Sequence, residues 1–351
     1  MNTLKDFTGK LVISKKSYFI MSGYLSLALI MATICFFPFI SEISYRNAYF
    51  LAEQGKVQNY RYINRFNYAF FEYEKAIRYF PLESHYASEY IKSLDSYIDN
   101  INDKKQKVYF LNKAINLMSY IQVIDPINPW YHARISALYL KLFFHTEDKP
   151  LLKQSTYHAR QALLSDYENP IFILNFATIL QRNKRFSEAF YYYEKVISID
   201  DRIPEAHFNI ANIYSYFNKF HYALNSYLKA KELKPNFQYI DAVIIQTYMF
   251  LKEFKKAEQY INLYELFYSK EDKTLDIVSL FYFNQDKFLL SISYLDLFLS
   301  LSQFDSHSPD NSIFDRYILC LKKSNQTNKI SSFIASQINN YPDNSYLKSL
   351  Q

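Results

Sequence analysis

Pro204–Phe237 reads PEAHFNIANIYSYFNKFHYALNSYLKAKELKPNF, and the spacing inside this stretch decides the fold. With Pro204 as position 1, the residues at 4, 7, 8 and 11 are His207, Ile210, Ala211 and Tyr214. That is the i, i+3, i+4, i+7 stripe of one amphipathic helix. A second stripe follows at 17, 20, 24 and 27, in Phe220, Ala223, Tyr227 and Ala230. Asn218-Lys219 separates the stripes as a short polar turn, and Lys234-Pro235-Asn236 ends the second helix. The stretch is a helical hairpin.

The same spacing continues on both sides. Taking Pro170, Pro204, Gln238 and Asp272 as first positions, four blocks (170–203, 204–237, 238–271, 272–305) align without a gap. Position 17 is always Phe (Phe186, Phe220, Phe254, Phe288), and position 20 is Ala189, Ala223, Ala257 and Ser291. Small residues at 20 and at 8 (Ala177, Ala211, Ser279) let paired helices approach, and aromatics at 11, 17 and 24 fill the space between hairpins. Farther out, Pro129, His132, Ile135, Ser136 and Tyr139 repeat the first-helix phase, with Ser155, Ala159 and Ala162 in the second helix. Phe66–Pro81 and Ala114–Pro126 match second helices, and Phe314 to Pro342 forms a degenerate last hairpin. The spacing predicts an all-α solenoid of about seven hairpins.

Composition agrees. The 351 residues contain 3 Gly, none beyond Gly55, which disfavours tight-turn β architectures and Gly-rich phosphate loops. The net charge of +6 is concentrated at the start: residues 1–65 hold eight Lys/Arg against three acidic residues. The remainder has no surplus of the kind a nucleic-acid face requires, so no nucleic-acid partner is expected. Cys35 and Cys320 form no pair, zinc spacing or redox motif. His132 and His207 share position 4, a packing column, and no catalytic constellation accompanies them. Neither enzyme activity, a metal site nor a cofactor is expected.

Tyr18–Ile40 reads YFIMSGYLSLALIMATICFFPFI, 23 residues without a charge. A membrane-crossing helix needs roughly 20 apolar residues, and a cleaved signal has a shorter apolar core. Pro38 lies near its far end, where a kink or stop costs little. Lys5, Lys10, Lys15 and Lys16 precede the segment, whereas Arg46 and Lys56 alone follow closely. The positive-inside rule then puts residues 1–17 in the cytoplasm, 18–40 in the bilayer and 41–351 outside. The leading helix Ser41–Tyr60 begins directly after the span, so the two are expected to run on with little linker.

The hairpins resemble the tetratricopeptide repeat family. Ile210, Ala211, Tyr214, Ala223, Tyr227, Ala230 and Pro235 stand where that family has its signature Leu, Gly, Tyr, Ala, Phe, Ala and Pro. The resemblance implies a superhelix whose first helices line a concave groove through positions 2, 5, 9, 12 and 13. Carried over, these are Trp130, Ala137 and Lys141; Leu174, Thr178, Gln181 and Arg182; Phe208, Asn212, Ser215 and Tyr216; and Tyr239, Gln246, Met249 and Phe250. An aromatic, amide-rich lining suits an extended peptide or a helix. The family's carboxylate clamp is missing: Phe208 stands where its Lys belongs, and Val243 and Ile277 occupy position 6. The expected role is a membrane-anchored scaffold for a protein partner, at the outer face of a bacterial inner membrane. An alternative comes from the order of span, charged helix and repeats, which resembles the tail of O-antigen ligase and polymerase-type proteins. The chain would then assist envelope polysaccharide assembly.

Overall fold

The computed structural model describes residues 15–60, 64–264, 266, 269–302 and 309–350. Residues 1–14 of the expected tail, and most of the inserted segment Ser306–Asp310, lie outside the described residues. Among the described residues no strand occurs. The chain forms two compact units that divide between Ser165 and Asp166.

The first unit opens with α1 (Lys15–Tyr60), 46 residues long and unbroken through Pro38. From Ser41 onward α1 packs on α2 (Arg65–Tyr79), and Ser41 Oγ donates to the Ala76 carbonyl at 2.7 Å. The close approach depends on small residues: Ala48 and Ala52 are buried, and Gly55 lies against the Phe66 ring. The pairs α3 (Ser84–Asn100) with α4 (Lys104–Ile124), and α5 (Pro129–Thr146) with α6 (Lys149–Ser165), complete the unit. Asp103 caps α4 by accepting from the Lys105 and Gln106 amides. Asn128 caps α5 immediately before Pro129, a proline placement that sacrifices no helical hydrogen bond. Where α5 and α6 meet, Ser136 and Ser155 each donate to the other's carbonyl, at 2.8 and 2.9 Å.

The second unit holds α7 (Pro170–Arg182) with α8 (Phe186–Ile199), and α9 (Pro204–Tyr216) with α10 (Phe220–Leu233). Then come α11 (Ile240–Phe250) with α12 (Phe254–Leu263), and α13 (Asp272–Phe283) with α14 (Phe288–Ser302). Last are α15 (Asn311–Lys323), α16 (Ile330–Asn340) and the short α17 (Ser345–Ser349). The turns between paired helices share one construction. Lys184, Asn218, Lys252, Asp286 and Asn325 all have positive φ, 56° to 61°. The first four are spaced by 34 residues, the period of the sequence. At each, two amides reach back into the preceding helix, as in Arg185 N–H to Leu180 O (2.9 Å) and Lys184 N–H to Gln181 O (2.9 Å). This is the Schellman stop, which glycine normally fills; here Lys, Asn and Asp fill it.

The spacing predicts about seven hairpins, and the described helices make eight consecutive pairs. Helices α3 and α4 depart from the 34-residue phase, and α15 meets α16 chiefly through Tyr317, whose ring stacks on Phe333 at 4.0 Å. A hydrophobic cluster runs from α1 to α5 in the first unit and from α9 to α17 in the second. Tyr73, Tyr90 and Phe66 centre the first unit, and Phe281, Phe314 and Ile244 belong to the core of the second.

Candidate functional site

The side chains expected to line a groove divide into three kinds. Trp130, Arg182, Tyr216, Gln246 and Phe250 are exposed. Trp130 sits in the first turn of α5, 49% exposed. Gln246 faces outward from α11, a helix whose Ile240, Ala242, Ile244, Ile245 and Thr247 are all buried.

A second group is tied down by side chains of its own or the preceding hairpin. The Tyr193 hydroxyl from α8 donates to Gln181 Oε1 at 2.7 Å and lies 3.3 Å from Thr178 Oγ1. One unit later Tyr227 repeats the contact, donating to Asn212 Oδ1 at 2.6 Å. Burial raises the phenols of Tyr193 and Tyr227 above the ordinary tyrosine range, so both stay protonated donors. The position-24 tyrosine thus satisfies the polar residues of the first helix, leaving Asn212 and Gln181 with a structural duty. Lys141 is tied through charge instead, its Nζ 3.1 Å from Asp99 and 3.5 Å from Asp95 of α3.

The third group packs against the core. Phe208 stacks on Phe237 at 4.6 Å and meets the Tyr227 ring edge-on. Leu174 and Ser215 are half-buried, and Met249 packs against the core cluster. Tyr239 precedes α11 with φ 60°, its amide donating to Glu271 Oε1 at 3.1 Å. Tyr216 and Phe250 are the last residues of α9 and α11. Each meets the position-17 Phe of the preceding hairpin: Tyr216 lies tilted against Phe186 at 4.4 Å, and Phe250 stacks on Phe220 at 4.7 Å. Position 13 therefore falls on the turn edge of the stack.

Neighbouring first helices are joined by ion pairs that the sequence reading did not anticipate. Arg134 of α5 pairs with Asp95 of α3. Arg316 of α15 pairs with Asp276 Oδ1 of α13 at 2.7 Å and also donates to Ser279 Oγ at 2.6 Å. Both arginines occupy position 6 of their units, counting from Pro129 and Asn311, so a shared column was available as a signal. Between α10 and α11 lies a more deeply buried pair, Lys231 with Asp241 at 2.5 Å. Asp241 also accepts from the Tyr260 hydroxyl, and the Lys231 ammonium lies 4.1 Å from the Tyr264 ring centroid.

In the first unit, His132 stands in the packing column as expected. Its Nδ1 is 2.9 Å from Nδ1 of His158, and Gln122 contacts the same ring. Burial, then the nearby His132, lowers His158 to about 4, so it is neutral at physiological pH. No group of three His, Cys, Asp or Glu suited to a metal occurs among the described residues.

A cleft of about 440 Å³ opens between α8 and α9, lined by Phe186, Ser187, Phe190, Ile213, Tyr214, Phe217 and Lys219.

Residues 204–237 match the family described as Tetratricopeptide repeat. No curated protein sequence matches the chain. Among solved structures, a tetratricopeptide repeat protein from Parabacteroides merdae is similar with TM-score 0.54 and 10% identity, covering 79% of this chain and 99% of that one. PilF of Pseudomonas aeruginosa gives TM-score 0.49 at 15% identity, over 64% and 96% of the two chains. YrrB, described as a TPR protein with an unusual peptide-binding site, gives 0.41 at 14% identity, over 55% and 96%.

Proposed function

The chain belongs to the tetratricopeptide-repeat family, and we propose that it is a membrane-anchored scaffold holding a protein segment against its first helices. One observation carries the binding half of this reading. Trp130 in the first unit and Gln246 in the second are each presented on a helix whose other faces are committed to its own unit's core, and each remains exposed. Exposed aromatic and amide groups on a rigid support are what an extended peptide or docked helix uses. On α7 and α9 the Tyr193 and Tyr227 hydrogen bonds hold the polar first-helix residues in place, so little ordering of these helices remains to be done on binding.

The anchoring half rests on α1. Its apolar window is 0% buried, with Phe19, Tyr24 and Leu25 each at least 70% exposed. So large an apolar surface requires lipid or protein cover. The same helix continues without a break into the part packed on α2, which supports a segment retained in the working protein. The lysines ahead of the span support an orientation with the repeats on the extracytoplasmic side, at the outer face of a bacterial inner membrane. Envelope assembly is the role that fits such a placement.

The test is capture of partners with the tagged, detergent-solubilised full chain, alongside a Trp130→Ala/Gln246→Ala variant. The variant should fold normally by circular dichroism and retain at least about tenfold less partner, a loss typical of removing an interface anchor. Equal capture by both chains would refute the groove. Alkaline carbonate extraction checks the anchor separately: release of the chain into the soluble fraction would refute it.

A further inference from the structure

The turn edge of the second unit has a composition unlike the rest of that unit. Residues 166–351 hold 20 Lys/Arg against 21 Asp/Glu, a net of −1. Positions 13–19 of the four regular hairpins (182–188, 216–222, 250–256 and 284–290) hold 8 Lys/Arg against 3 acidic residues, a net of +5. The remainder of the unit is therefore 12 against 18, a net of −6. Helices within each hairpin are antiparallel, so these segments gather at one edge of the unit while the junctions between hairpins gather at the other. Exposed Asp166, Glu168, Asp201 and Asp272 lie at that second edge. The unit is electrically two-faced.

The basic edge is also greasy. Tyr216 (61% exposed), Phe217 (52%), Tyr222 (62%), Phe250 (53%), Leu289 (59%) and Leu290 (44%) all stand on it. Between them project Lys184, Lys219 and Lys252, each exposed. The α8/α9 cleft opens among the same residues, with Phe217 and Lys219 at its rim. Aromatic rings interleaved with lysines are the chemistry of a lipid–water interface: the rings enter the headgroup region while the ammonium groups meet lipid phosphates.

We propose that this edge docks on the surface of an anionic bilayer. The proposal rests on the reading of Tyr18–Ile40 as a span, because a tethered chain meets its own membrane at high effective concentration. Weak contacts then suffice to hold the repeats down. An acidic protein face would also suit the charges, but six exposed apolar side chains spread over three hairpins fit the broad, deformable surface of a bilayer better than one cleft-sized ligand.

The experiment uses the full chain, with Cys35→Ala and Cys320→Ala, reconstituted in vesicles of phosphatidylcholine alone or phosphatidylcholine with phosphatidylglycerol. A spin label is placed by Phe217→Cys or Leu289→Cys, and by Asp201→Cys as control. Flotation with the vesicles reads the span independently of the edge. The expected result is that labels at 217 and 289 become accessible to oxygen and shielded from a polar nickel chelate only in anionic vesicles, while the label at 201 stays in water. High salt reverses the change, and Lys219→Glu with Lys252→Glu lowers the docked fraction roughly tenfold. Hydrogen exchange over 216–222 in the unlabelled chain gives the same comparison without cysteine substitutions, with slower exchange expected in anionic vesicles. A chain that floats with all three labels equally wet, and shows no exchange difference, overturns the proposal. Labels shielded equally in both vesicle types overturn it too, since anionic lipid then plays no part.

Discussion

A lysine at positive φ costs more than a glycine there, because its Cβ crowds the following carbonyl. Lys184 and Lys252 nevertheless hold the turn position that glycine normally takes, at φ 61° and 58°. Lys184→Gly and Lys252→Gly should each raise stability by about 1 kcal/mol in urea denaturation, whereas Asn218→Gly should gain little because Asn tolerates this region. The one late glycine behaves oppositely. A Cβ on Gly55 would lie 2.6 Å from the fully buried Phe66 ring, so Gly55→Ala should destabilise the first unit by about 1–3 kcal/mol. His158 sets a pH dependence. Folding lowers it from an ordinary value near 6.5 to about 4, so between those pH values the unfolded chain takes up a proton that the folded chain refuses. Stability should fall as pH drops through that window, and His158→Phe should flatten this part of the profile; an unchanged slope would contradict the assignment. At this scale the sequence was only partly legible. Gln246 and Trp130 are exposed as a lining would be, but Asn212 and Gln181 are tied to tyrosines twelve or more residues away, a distance at which no local pattern speaks.

The elements were far more legible. Columns of small residues at 8 and 20 recur because paired helices cannot approach otherwise, and the positive-φ turns then fall at the same 34-residue interval. Where Ser replaces Ala, the contact survives as a hydrogen bond, as from Ser291 Oγ to the Ser279 carbonyl at 2.9 Å. What stayed hidden is how consecutive hairpins are locked by charge. The Lys231–Asp241 pair is nearly enclosed, with side chains 10% and 17% exposed. Removing one partner strands the other, so Asp241→Leu alone should cost about 3–5 kcal/mol. Adding Lys231→Met should recover most of that loss, since an apolar pair of similar size needs no compensating charge. Urea midpoints for the two singles and the double check this, and additive losses would show that the pair is not coupled.

For the whole molecule, the apolar stretch Tyr18–Ile40 and the repeat phase were visible in the sequence because both are periodic or continuous over many residues. The charge division of the second unit was not, since its near-zero total conceals an edge of +5 facing a remainder of −6. Only the hairpin geometry sorts those residues to opposite sides. The proposed tethered scaffold would keep its first helices open to a partner. The direct measurement is site-specific photocrosslinking in intact membranes, with the crosslinker at Gln246 on α11 and, for comparison, at the exposed Tyr191 on α8. A defined protein adduct is expected from position 246 and none from 191. Adducts from 191 with position 246 silent would contradict it.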